Sequence, residues 1–185
     1  MCAARVSFPG FDAPAAGFEV PLEMLSACHG RVERRCQTLL RLVPHLVANG
    51  PDQTAREAAQ NVMRYFDTSA KHHHADEEED LFPALLQSAP EAKLPRLREL
   101  VAALCAQHRE LEQAWGGLRL KLEGILLGTT SELDAGEAAR MVGLYRQHIA
   151  REEEELLPLA ARILGAAQLD SVGRAMRARR GIKEI

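Results

Sequence analysis

Apolar residues recur three and four positions apart along four long stretches of the chain, and no stretch alternates apolar and polar with period two between turns, so the pattern predicts an all-α protein. The first stretch, from about Pro21 to Ala48, puts Leu22, Leu25, His29, Val32, Cys36, Leu39 and Val43 on one face; Pro21 suits a first turn, and Pro44 is expected to kink the last one. The second follows Asp52, a favourable cap, and aligns Ala55, Ala59, Val62, Phe66, Ser69, His73, Glu77, Leu81 and Leu85, with a bend expected near Phe82 because of Pro83. The third, from about Leu94, aligns Leu97, Val101, Leu104, His108, Leu111, Trp115, Leu118 and Leu122. The fourth, with Ser131 as its expected cap, aligns Ala138, Met141, Tyr145, His148, Glu152, Leu156 and Leu159, and a short fifth helix follows Gly165.

An amphipathic helix is stabilised mainly by burying its apolar face, so these stripes point inward. The breaks at Asn49-Gly50-Pro51, Ser88 to Pro95 and Gly128 to Ser131 are short, which favours antiparallel neighbours. The expected architecture is an up-down-up-down four-helix bundle over residues 21–165, preceded by an extended segment, 1–20, and followed by a short C-terminal helix and tail, 166–185. At a rise of about 1.5 Å per residue, His73, His108 and His148 lie roughly 21 to 24 Å from one end of such a bundle. His29 is only roughly 12 Å into its helix, so the first helix must begin partway up, with residues 1–20 filling the space below.

A single histidine on an apolar stripe is ordinarily a hydrogen-bonded core residue. Here every one of the four helices carries one, and two of them add a carboxylate one turn further along the same face: His73 with Glu77, and His148 with Glu152. A buried ionised Glu costs several kcal/mol unless it is paired or metal-bound, so two of them beside four imidazoles call for a shared cation. The two motifs are copies: HHADEEEDLFPAL from His73 matches HIAREEEELLPLA from His148, with Glu at +4, leucine at +8 and proline at +10. Such repetition suits a two-metal site in which each half offers imidazoles and one carboxylate able to bridge. Imidazole and carboxylate ligands without a thiolate cluster suit iron, with zinc or manganese as alternatives, and argue against magnesium or calcium.

Composition narrows the partners. The 185 residues, 46% apolar, suffice for one domain with a real core, and a net charge of −3 gives no reason to expect nucleic acid or an anionic membrane. No segment approaches the roughly 18 apolar residues of a membrane span, and the N-terminus lacks a basic region followed by an apolar run, so a cytoplasmic protein is expected. Cys2, Cys28, Cys36 and Cys105 show no CxxC pairing and read as reduced thiols. The basic tail Arg174, Arg177, Arg179, Arg180 and Lys183 reads as a solvated helix end, and the acidic runs from Asp76 and Glu152 as solvated faces apart from Glu77 and Glu152; His45 and His72 read as surface residues.

With His in the first helix, HHxxEE before LFP in the second, QHRELE in the third and HxxxEE before LLP in the fourth, the sequence over about residues 20–165 resembles the hemerythrin-like (HHE cation-binding) family. The closing MRARRG resembles the family's tail. The resemblance implies two non-haem iron ions, with His29, His73, His108 and His148 as terminal ligands and Glu77 and Glu152 as bridges, and it makes His74 the candidate seventh ligand. Oxygen-carrying members have a second His four residues after the first on the third helix, where this chain has Glu112, and His with Asp five residues on in the last helix, where it has Glu at four. Both departures count against oxygen transport. A ferritin-like oxidase is disfavoured because no His here has Glu three residues before it. The expected function is binding or sensing of a small diatomic ligand (O2 or NO) or peroxide, or a part in iron homeostasis. The rivals are a di-iron enzyme acting on peroxide or NO or in iron–sulfur centre repair, and a purely structural bundle. Catalytic residues are not assigned. The apolar outer positions of the third helix and the tail leave room for a homodimer.

Overall fold

The structure is a computed structural model and describes residues 17–183. Five helices account for most of it, with no strand among the described residues. Helix α1 is Pro21–Asn49 and continues through Pro44, ending where Gly50 turns the chain at positive φ. Helix α2 spans 53–88, starting where the Asp52 carboxylate accepts the Ala55 amide at 2.8 Å. A single 3-10 turn, Glu91–Lys93, leads into α3, Leu94–Leu127. Helix α4 spans 135–163, and α5 is Ala166–Arg179. The cap of α4 is Asp134, which accepts the Glu137 amide at 2.7 Å, and not Ser131: a carboxylate directly before the first helical turn takes the role that the earlier hydroxyl was expected to fill.

Helices α2 and α4 are not uniform. Three α-helical stretches of α2, Gln53–Arg64, Ala70–Ala75 and Phe82–Ser88, are joined by π-helical turns at Tyr65–Ser69 and Asp76–Leu81. In α4 a single π-helical turn, Glu152–Leu156, separates Ala135–Arg151 from Leu157–Ile163. In the second turn the Phe82 amide reaches back five residues to the Glu77 carbonyl, and in the third the Leu157 amide reaches the Glu152 carbonyl. Each is followed, one residue later, by a proline, Pro83 or Pro158, which has no amide hydrogen and whose ring crowds the carbonyl four residues back. Widening the preceding turn relieves that crowding, so the helix passes through Phe82 with helical dihedrals and the irregularity falls upstream of the expected bend.

The core has two halves. One joins the C-terminal half of α1 (Leu39, Leu42, Leu46) to the N-terminal half of α2 (Ala55, Val62, Phe66), the C-terminal half of α3 (Trp115, Leu122) and the N-terminal half of α4 (Met141, Tyr145). The other joins Leu25 at the start of α1 to Leu85 late in α2, Leu97 early in α3 and Ala160 late in α4. This alternation of ends is an up-down-up-down bundle, each helix packed on its two neighbours in chain order. Below the late start of α1 the space is closed by α5, whose Val172 and Met176 join the second half-core. Residues 17–20 help: a Cβ at Gly173 would lie 2.0 Å from the Phe18 carbonyl oxygen, so only glycine permits this approach. The rest of the 1–20 segment expected there, residues 1–16, lies outside the described residues. No helix of the described residues is long and apolar enough to cross a membrane.

Candidate metal centre

Between the two apolar halves lies a layer of buried polar side chains: His29, His73, His108, His148, Glu77 and Glu152 are each at most 3% exposed, and His74 is 8% exposed. Inward stripes put them there, since each takes a core position on its helix. Two groups of four converge, each with ligand-type atoms within 4.8 Å of one another: His29, His73, Glu77 and Glu152, and Glu77, His108, His148 and Glu152. The two groups share both carboxylates. His29 Nε2 is 2.9 Å from Glu152 Oε2, and His148 Nε2 is 3.1 Å from Glu152 Oε1, so one carboxylate faces both groups. Glu77 does the same, with Oε1 3.4 Å from His73 Nε2 and Oε2 3.3 Å from His108 Nε2. His74, next to His73, forms a third group with His108 and His148 and stacks on His108 at 4.0 Å.

The protonation chemistry suits cation binding. His108 Nε2 and His148 Nε2 face each other at 3.2 Å, a contact that can share at most one proton. Burial, with neighbouring histidines adding to it, holds the His73 and His74 imidazoles well below their ordinary range and pushes His148 to about 2, keeping them in the neutral, ligand-competent form. Burial, reinforced by Glu152, raises the Glu77 carboxyl well above the carboxylate range. At His29 burial pulls the other way, but Glu152 and Glu153 together outweigh it and leave the imidazole raised. Buried polar atoms nearly always have partners, yet His29 Nε2, His73 Nδ1, His74 Nε2 and all four oxygens of Glu77 and Glu152 lack one with hydrogen-bond geometry. Such a concentration of unpartnered atoms in one buried layer fits a cation, His73 turning its other nitrogen, Nε2, toward Glu77.

The acidic runs do more than face solvent. Glu78, the residue after Glu77, accepts from His108 Nδ1 at 2.7 Å, and Glu153, the residue after Glu152, pairs with His29 Nδ1. The halves thus repeat a rule: one Glu faces the two groups and the next orients the imidazole of an adjacent helix from behind. His148 Nδ1 has Gln107 Oε1 at 3.2 Å in the same role. Asp76, fully buried, is held by Arg180 at 2.7 Å and by Arg179, which also reaches Asp80 at 2.7 Å. The tail is therefore not a solvated helix end, because a buried carboxylate one residue before Glu77 draws two of its guanidiniums inward. Spacing alone missed Glu78, Glu153, Gln107 and Asp76; the available signal was the second Glu of each repeated motif. His45 is partly exposed and bonds Asp52 at 2.9 Å, and His72 is likewise partly exposed. The thiols of Cys28, Cys36 and Cys105 are free.

Comparison with known proteins agrees with this arrangement. An uncharacterized protein of Haemophilus influenzae is 34% identical over 169 residues, which cover 91% of this chain and 95% of that protein. The family model described as the hemerythrin HHE cation binding domain matches residues 20–160, the span that contains the whole buried layer. A four-helix bundle built around a His/Glu cluster able to hold a metal cation, matched over this span, belongs to the hemerythrin HHE cation binding domain family.

Proposed function

We propose that the layer holds two non-haem iron ions and that this protein, in the cytoplasm, uses them to bind or sense O2, NO or peroxide, or in iron homeostasis. The observation that carries the reading is the pair of buried groups sharing Glu77 and Glu152. His29 and His73 would hold one iron, His108 and His148 with His74 the other, and the two carboxylates would span both. Such an iron pair, when bound, supplies affinity for small oxygen- and nitrogen-containing ligands. Zinc or manganese fits the same donor types, and iron is preferred for the mixed imidazole and carboxylate set.

The surroundings favour a ligand of a few atoms. A cleft of about 20 Å³ beside His74, walled by Phe66, Leu111, Trp115 and Tyr145, is roughly the space of one water-sized molecule. Glu78 and Glu153 hold their imidazoles in place, and the apolar halves above and below keep water from the layer. The test is metal content and absorption of protein produced with ample iron, before and after exposure to O2, NO and peroxide. About two irons per chain with charge-transfer bands that change on ligand addition is the expected result; metal-free protein would overturn the reading. Turnover of peroxide or NO that disappears in His73→Ala with iron still partly bound would identify an enzyme instead.

A further inference from the structure

Away from the His/Glu layer, the seam between α1 and α4 opens into a cleft of about 710 Å³, within the size range of small-molecule sites. Its floor is apolar and buried, with Cys36, Val142, Tyr145 and Ile149. Its rim is cationic: Arg34, Arg35 and Arg41 come from α1 and Arg146 from α4, against the single carboxylate of Glu33.

Helix spacing leaves most of this rim without a neutralising partner. Some arginines elsewhere are paired with carboxylates, as Arg119 is with Asp67 and Glu123, Arg140 with Glu110 and Arg174 with Asp170, while exposed Arg98, Arg109 and Arg162 form no ion pair among the described residues but stand apart from one another in sequence; the rim differs in gathering several arginines around one cleft. Arg34, Arg41 and Arg146 form no ion pair among the described residues, and none has a carboxylate three or four positions away on its own helix. Arg34 is flanked at those positions by Arg31, Gly30, Gln37 and Thr38, and Arg146 by Val142, Gly143, Ile149 and Ala150. Arg35 is turned over the Tyr65 ring, 5.6 Å from its centroid. In a protein of net charge −3, three unpaired guanidiniums around one concave, apolar-floored cleft are a local reversal of sign.

We propose that this cleft binds a small multivalent oxyanion, a phosphate or carboxylate compound with an apolar or aromatic body. The guanidiniums supply forked donors matched to two oxygens at a time, and the Tyr145 and Ile149 floor takes the body. A concave cleft of this volume between two helices suits a small molecule. The floor also adjoins the His/Glu layer, since Ile149 follows His148 and the Tyr145 ring is 6.4 Å from that of His74. The site does not depend on which metal the layer holds.

The experiment is calorimetric titration of the purified full chain with ATP, pyrophosphate and citrate at low and moderate salt, alongside Arg34→Gln, Arg146→Gln and the triple variant with Arg41→Gln. At least one probe is expected to bind with Kd on the order of 10 to 100 µM, weakening with salt. Each single substitution should weaken it about tenfold, with helicity and metal content unchanged. Preference for ATP and pyrophosphate over citrate assigns phosphate chemistry, and the reverse order assigns carboxylate chemistry. No binding of any probe up to about 1 mM, an unchanged Kd in the triple variant, or tighter binding of a hexaglutamate peptide than of all three probes overturns the proposal.

Discussion

Replacing Glu77 by Leu should make the metal-free protein more stable while destroying its capacity for metal. Glu77 is 0% exposed, its oxygens lack partners with hydrogen-bond geometry, and it faces a second carboxylate, Glu152, in the same condition. Each buried unsatisfied polar group costs about 1–3 kcal/mol. Exchanging buried charge for well-packed apolar side chains of similar volume is neutral or stabilising by about 1–4 kcal/mol. A gain of about 2 kcal/mol is therefore expected without metal, which for a chain of this length raises Tm by about 4–8 °C. Metal reverses the order: at a thousandfold excess over Kd each occupied position adds about 4 kcal/mol to the wild type, whereas the variant has lost a carboxylate common to both groups. Thermal and urea unfolding of chelator-treated and reloaded protein, with metal analysis, should thus rank stability as metal-free wild type, then Glu77→Leu, then loaded wild type. If Glu77→Leu lowers the stability of metal-free protein by more than about 1 kcal/mol, the carboxylate belongs to a satisfied structural network, and the cation reading of the layer fails.

Three further outcomes can be checked. Glu78→Gln and Glu153→Gln each remove the carboxylate behind an imidazole, at His108 and His29, and should weaken metal binding about 10- to 100-fold in competition with a chromophoric chelator; unchanged affinity would refute their orienting role. Asp76→Ala leaves Arg179 and Arg180 without their buried partner and should cost about 3–5 kcal/mol, with hydrogen exchange accelerating first in α5; uniform exchange would show that the contact does not anchor that helix. Metal-free stability should peak near pH 6.5. Below it the unfolded chain takes up protons that native His73, His74 and His148 (the last at about 2) refuse, so stability falls as pH falls; above it native Glu77 and His29, both raised, retain protons that the unfolded chain has released, so stability falls as pH rises. A profile flat between pH 5 and about 8 would contradict these environments.

The bundle was readable because amphipathic stripes carry their own evidence of facing inward, and the layer because a His sits on each stripe. The wide turns were legible too, in hindsight of a physical kind. Ser69, expected on the inward stripe, is exposed and Ala70 is buried instead; from His73 the buried positions of α2 run 73, 77, 81, 85, three fours in a row, and each step of four overshoots an α-helical turn by about 40°. A regular helix would have carried Leu85 far around its surface; the π-helical turn at Asp76–Leu81 absorbs the drift, and Leu85 is 0% exposed. What periodicity could not carry is pairing between distant segments. That Asp76 meets Arg179 and Arg180, or Glu153 meets His29, depends on helix rotation and on where α5 folds back, and neither leaves a mark on local spacing. The start of α4 was missed because Ser131 and Asp134 are both good caps, and the apolar pattern after them does not choose between them.

The division of the layer among the helices bears on how the molecule comes together. His29 and Glu153 are 124 residues apart, and both groups of four need α4, one joining it to α1 and α2 and the other to α2 and α3. A nascent chain that has exposed His29, His73, His74, Glu77 and His108 still has neither group complete, because both wait for Glu152. Cation capture is thereby tied to the docking of α4 on the three helices before it, and a chain made only as far as α3 has no intact site for metal.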